Sequence, residues 1–223
     1  MRIYPETFAF LINLAANNNR DWFTVHKKDH DDAKENVIAF AGALIKELSQ
    51  VDPTVDAALD PKKCVLRIYR DIRFSPDKTP YKNNFGIGKL NSGNDNVMHI
   101  GYYMHVQPGE SFIAGGSWMP ENDQLKKIRQ EIDYNAESLK SIVDDPEFVK
   151  LFGDFRNQEE KLKTVPQGYS TDNENIELLK LKSYVAYHKF TDTEMSKEGI
   201  VQKIAGLCSK ISPLNEFLKN AVS

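Results

Sequence analysis

Apolar residues keep helical spacing at both ends of this chain and strand spacing in its middle, an order that few fold classes accommodate. Phe8, Leu11, Ile12 and Ala15 follow Pro5 at helical steps, so a short first helix is predicted to end at the turn-forming run Asn17, Asn18, Asn19. From Trp22 a second stripe runs through His26, His30, Ala33, Val37, Phe40, Leu44 and Leu48, which predicts one helix of roughly seven to eight turns at ~3.6 residues per turn. Asp52-Pro53 and Asp60-Pro61 then break the chain, and residues 64–69 alternate as a strand does. Further strands are expected near 84–90, 97–106 and 111–116, joined by short Gly-, Asn- and Pro-bearing links that favour antiparallel neighbours. Helical spacing returns at Leu125, Ile128 and Ile132, at Leu139, Ile142 and Val143, and after Pro146 at Phe148, Leu151 and Phe152. A late strand is expected at 183–190 and a last helix over Ile200, Ile204, Leu207, Cys208 and Ile211, with Ser212-Pro213 starting a terminal turn or helix. The order predicts an α+β fold, a mainly antiparallel sheet packed by N-terminal and C-terminal helices, in a single domain over 1–223.

With 40% apolar and 27% charged residues in 223, the chain can bury a substantial core, and disorder is not indicated. Its net charge of -3 conceals an asymmetry: residues 62–89 hold eight Lys or Arg against Asp71 and Asp77, a local balance of +6. A basic segment in an acidic body focuses anions at a confined place, which argues against bulk coating of nucleic acid. Cys64 and Cys208 are too far apart in sequence for a zinc or redox motif and read as packed thiols. The start lacks the apolar core of a signal peptide, and no apolar run approaches the ~20 residues of a membrane span. A cytoplasmic protein without a membrane partner is the expectation.

Chemistry is densest at 67–82, Arg-Ile-Tyr-Arg-Asp-Ile-Arg-Phe-Ser-Pro-Asp-Lys-Thr-Pro-Tyr-Lys. If the strand from 64 continues to Arg73, then Arg67, Tyr69, Asp71 and Arg73 share one face, while Leu66, Ile68, Arg70, Ile72 and Phe74 take the other. Arginine offers a planar donor fork to phosphate or carboxylate, lysine a mobile point charge, and tyrosine a hydroxyl and a stacking face. Arg67, Tyr69, Arg70, Arg73, Lys78, Tyr81 and Lys82 are therefore the expected ligand-binding set, for a phosphate-bearing or other anionic small molecule, with Arg67 and Arg73 facing it. The competing reading pairs Asp71 and Asp77 with the arginines and leaves a structural ion network.

The same sixteen residues resemble the signature of a widespread uncharacterised family, the one labelled domain of unknown function 2461. Asn18-Asn19-Arg20-Asp21-Trp22-Phe23, Gly115-Gly116-Ser117-Trp118-Met119-Pro120, Pro166-Gln167-Gly168-Tyr169 and Leu178-Leu179-Lys180-Leu181-Lys182 extend the resemblance along nearly the whole chain. It implies an established family with no established activity, so it carries over no catalytic residues. The chain departs from the usual pattern at Ile72, where Thr is common, and at Pro76 and Gln167, where Lys is common.

Other constellations are weaker. Asp71 and Asp77 are candidate catalytic carboxylates, and His26 and His30, at i and i+4, are candidate metal ligands with Asp29 or Asp32 nearby. The pair lacks the Glu of the zinc-protease signature, and partly buried histidines bonded to polar neighbours are the alternative. His99, His105 and Tyr103 share strand parity, and His188 stands alone. Gly115, Gly116 and Ser117 either cradle an anion or mark a strand end. Lys180 and Lys182 either extend the basic site or form surface pairs. No cofactor is required by the sequence. The alternatives to anion binding are a metal-dependent phosphoesterase or nuclease, a nucleic-acid binder, and a non-catalytic scaffold.

Overall fold

The computed structural model describes residues 1–73, 75–90, 99–158 and 160–223; the expectations for Phe74 and for 97–98 lie outside the described residues. The fold is α+β, with an antiparallel sheet in the order β1-β2-β3-β4 formed by Phe85–Ile87, Ile100–Val106, Ser111–Ser117 and Tyr184–Phe190. β1 and β2 pair Phe85 with Val106, Gly86 with His105 and Ile87 with Met104. Chain contacts gather into two compact units, one of Met1–Leu90, Tyr103–Ile113 and Lys189–Gly206, the other of residues 99–102, Ala114–His188 and Leu207–Ser223.

In the first unit, α1 (Pro5–Ala16) starts on a proline, whose missing N–H is no loss in a first turn. It buries Phe8, Phe10, Leu11 and Leu14. The predicted long helix is instead two, α2 (Arg20–Val25) and α3 (Lys27–Val51), because His26 leaves helical geometry at φ -98°, ψ 23°. Asn19 caps α2 by accepting a bond from Trp22 N at 2.9 Å. α3 keeps the expected stripe, burying His30, Ala33, Val37, Phe40, Leu44 and Leu48; each fully buried Leu contributes about 1.5–3 kcal/mol. Asn36, also buried, fixes the chain before α1: its Oδ1 accepts from Tyr4 N and Thr7 Oγ1, and its Nδ2 donates to Arg2 O, all within 3.0 Å. The one-turn α4 (Pro61–Cys64) leads into the basic segment.

In the second unit, α5 (Asn122–Val143) bends at Asn135, and α6 (Pro146–Phe152) is capped by Asp145, whose carboxylate accepts from Glu147 N and Phe148 N. α7 (Ile176–Leu179) precedes β4. The short α8 (Asp192–Met195) belongs to the first unit; α9 (Ile200–Val222) begins there and continues through Pro213 in the second, where a new start was expected. The proline removes one helical donor, but Ile211, Leu214 and Leu218 are fully buried around it, and that burial outweighs one lost bond.

Candidate functional site

Residues 64–70 run antiparallel to residues 80–88 without forming a regular strand. Gly88 N donates to Cys64 O, Leu66 N to Gly86 O, Lys82 N to Ile68 O and Arg70 N to Pro80 O. The first two bonds and the last two differ in register by two residues, so Arg67 alone opposes Asn83, Asn84 and Phe85, a local bulge. The ladder stops at Arg70, and the strand does not reach Arg73 as alternation suggested. Beyond Arg70 the chain turns away as a loop whose hydrogen bonds come largely from side chains.

Exposure alternates only from Arg67 to Tyr69, with Ile68 buried and Arg67 and Tyr69 exposed, whereas the adjacent Cys64 and Val65 are both buried. Tyr69 bridges Tyr81 with ring centroids 5.4 Å apart, and Phe23 of α2 stacks on Tyr81 at 4.0 Å. Asn18 clamps the same tyrosine's backbone, donating to Tyr81 O at 2.9 Å and accepting from Tyr81 N at 3.1 Å. Burial pushes the Tyr81 hydroxyl pKa up, Tyr69 adds to that, and the Arg20 charge opposes it. Asn18 and Phe23 therefore join the start of α2 to Tyr81, whose hydroxyl feels the charge of Arg20. Arg20 is a residue that composition did not single out; its membership in the Asn-Asn-Arg-Asp-Trp-Phe segment was the available signal.

Lys82 sits on the opposite face, across from Ile68, where its charge helps to lower the pKa of His105. Burial is the main cause of that lowering. His105 is held in one tautomer: Nε2 donates to Gln107 Oε1 at 2.9 Å, since Gln107 Nε2 donates to Glu110, and Nδ1 accepts from Tyr103 Oη at 3.2 Å. The Tyr103 ring lies over Gly86, where an added Cβ would stand 2.7 Å from the hydroxyl.

The remaining cations of the segment are engaged within the loop. Arg70 Nη1 donates to Asp77 and, at 3.0 Å, to Thr79 Oγ1, and Nη2 reaches Ser75 Oγ at 3.4 Å. Arg73 grips Asp71 in a two-pronged pair, Nε to Oδ1 at 2.9 Å and Nη2 to Oδ2 at 2.6 Å. Lys78 Nζ donates to Ile72 O at 2.9 Å. Both carboxylates are held below their ordinary range, Asp71 first by hydrogen bonds from Arg73 and then by the charge of Arg67, and Asp77 first by the N–H and hydroxyl of Thr79 and then by Arg70. As ionised acceptors they serve the loop, and the geometry does not pair them with each other as an acid and a base. Among the described residues, no carboxylate forms an ion pair with Arg67, Arg20 or Lys82.

His26 and His30 do not converge. His26 stacks on Trp22 at 4.0 Å and its Nδ1 lies 2.9 Å from Trp22 O, whereas His30 is buried among Phe10, Phe23 and Phe85 with Nδ1 on Asp31. Burial drives the His30 pKa below 6.5. Among the described residues no three His, Cys, Asp or Glu side chains gather as a metal cluster. His99 is exposed ahead of β2, and His188 Nδ1 lies against Leu151 O.

The later family-like segments assemble separately, in the second unit. At Gly115 an added Cβ would stand 2.4 Å from Ile211, and at Gly116, with φ 125°, 2.0 Å from Tyr184 O, so these glycines serve close packing. Met119 N donates to Ser183 Oγ, and Tyr184 Oη to Leu178 O. Arg129 of α5 donates from Nε to Leu179 O at 2.7 Å and from Nη2 to Leu181 O at 3.1 Å. Lys180 pairs with Glu177 at 3.1 Å; Lys182 is half-buried.

No curated protein and no solved structure matches the chain. A family model described as "Conserved hypothetical protein (DUF2461)" does match, over residues 6–217, and this chain belongs to that family.

Proposed function

We propose that the face carrying Arg67 and Tyr69 binds a small anionic ligand, a phosphate-bearing molecule in particular, with Arg67 and Arg20 supplying charge and Tyr69 a hydroxyl and a flat surface. The observation that carries this reading is the contrast among the arginines. Arg70 and Arg73 spend their donors on Asp77 and Asp71, while Arg67 stands exposed beside an exposed tyrosine, its charge acting on Asp71 from a distance but with no close carboxylate pair among the described residues. A guanidinium in that situation offers a complete donor fork. Phe23 beneath Tyr81 and the Asn18 clamp hold the platform in place before any ligand arrives, which lowers the ordering cost of binding.

Lys82 and His105, on the other face, are outside this ligand set, and Arg70, Arg73 and Lys78 shape the adjoining loop. A scaffold reading draws on that loop network, since Arg70 ties Ser75, Asp77 and Thr79 together. The place of action proposed is the cytoplasm, in keeping with two buried cysteines that remain free thiols; among the described residues no helix is long and apolar enough to cross a membrane. Thermal unfolding with inorganic phosphate, pyrophosphate and a nucleoside triphosphate tests the proposal. Anion-dependent stabilisation that disappears in Arg67→Ala supports it; identical shifts in wild type and variant leave the scaffold reading.

A further inference from the structure

In the second unit, three buried polar atoms have no hydrogen-bond partner among the described residues: Ser117 Oγ at the end of β3, and Oδ1 and Nδ2 of Asn215 in α9. Ser117 is 0% exposed and Asn215 1%, and Ile211, Leu214 and Leu218, the neighbours of Asn215 along α9, are fully buried as well. Polar groups in such surroundings cost about as much as lost hydrogen bonds unless something bonds to them.

The fold brings the two side chains to one place. Gly115 and Ser117 share a face of β3, and Ile211 and Asn215 share a face of α9. At Gly115 the two faces meet, since an added Cβ would stand 2.4 Å from Ile211 Cγ2. From that contact, two residues of strand advance ~6.6 Å and one turn of helix ~5.4 Å. Both advance in the same sense: beyond Ser117 the chain enters α5, whose Lys127 Nζ donates at 2.9 Å to Val222 O, at the end of α9. Ser117 therefore faces the turn of α9 that carries Asn215.

We infer that Ser117 and Asn215 bind an internal water molecule between β3 and α9. The amide offers donors and an acceptor, the hydroxyl one donor and acceptor sites, and water is the one small molecule that both gives and takes at such a point. Together they supply the two or more polar partners that an internal water needs. Neither side chain carries a charge to balance an ion, and their near-complete burial limits the occupant to a molecule of water's size. The site uses no residue of the anion-binding face.

High-resolution crystallography and water–amide nuclear Overhauser measurements on the full chain provide the test. The expected result is density about 2.7–3.2 Å from Ser117 Oγ and from an amide atom of Asn215. A cross-peak between water and the Asn215 Nδ2 protons is expected with the sign of a residence of nanoseconds or longer. Neither readout needs a variant. In Asn215→Leu the density should vanish and the melting temperature should fall by about 2–4 °C, because a satisfied amide has been removed. Three outcomes would each overturn the inference: an Asn215 amide bonded directly to protein groups with no density beside it; a cross-peak that is absent or has the sign of surface hydration; or a higher melting temperature in Asn215→Leu, the mark of an amide that nothing had satisfied.

Discussion

Arg129 and Arg67 each lie beside a family-like segment, one in each compact unit, and they spend their donors differently. Arg129 directs Nε and Nη2 at the carbonyls of Leu179 and Leu181, closing a loop whose neighbours Leu178, Leu179 and Tyr184 are buried. Arg67 is exposed on a bulge and forms no carboxylate pair among the described residues. Arg129 thus satisfies backbone, whereas Arg67 leaves its charge facing outward. The lesson is that an arginine in a recurring motif is assigned by where its N–H groups go, not by the motif itself.

The sharpest way to break this comparison is at Gly116. Alanine there would place a methyl 2.0 Å from Tyr184 O at φ 125°, so Gly116→Ala is expected to lose more than ~3 kcal/mol in urea unfolding. A fully stable variant would show that the second unit is looser than described. Arg129→Met comes next: losing charged donors to two partly buried carbonyls should cost about 2–3 kcal/mol, with anion-dependent thermal shifts intact. Asn18→Ala removes both bonds to the Tyr81 backbone and should cost about 1–2 kcal/mol while also weakening the anion response, since the platform loses its clamp. If stability falls but the anion response does not, the clamp is purely structural.

The smallest effect is in pH. Burial holds the His30 pKa below 6.5, so the unfolded chain binds a proton that the folded chain resists. Stability from this site is complete above pH 6.5 and is lost as pH falls through the lower folded value. His105 is lowered in the same direction and adds to the trend. His30→Gln should flatten the slope of unfolding free energy against pH on the acid side; an unchanged slope would place the titrating group elsewhere.

Much of the architecture was legible because burial imposes period. The stripes of α1, α3, α5 and α9 and the strands at 85–87, 111–117 and 184–190 fall where apolar spacing changes. The break at His26 was hidden, since Trp22 and His30 stay in phase across it and only the cap at Asn19 marks a separate start. Pro213 misled in the opposite sense, because burial on both sides carries α9 past it. At the site, alternation placed Arg67 and Tyr69 together, and both are exposed on either side of buried Ile68. It failed beyond, where side-chain bonds to Asp71 and Asp77 replace the ladder. The contact of the segment at 18–23 with Tyr81 was not legible from spacing, because Asn18 and Tyr81 meet across 63 residues of chain.

The most direct test of the account is calorimetric titration of pyrophosphate into Arg67→Ala, Arg73→Ala and Arg129→Met beside the parent protein. The account predicts saturable binding in the parent, a loss of about tenfold or more in Arg67→Ala, and affinities near the parent's in the other two. Equal affinity in Arg67→Ala and the parent, or no binding by any of the four at low salt, would contradict it.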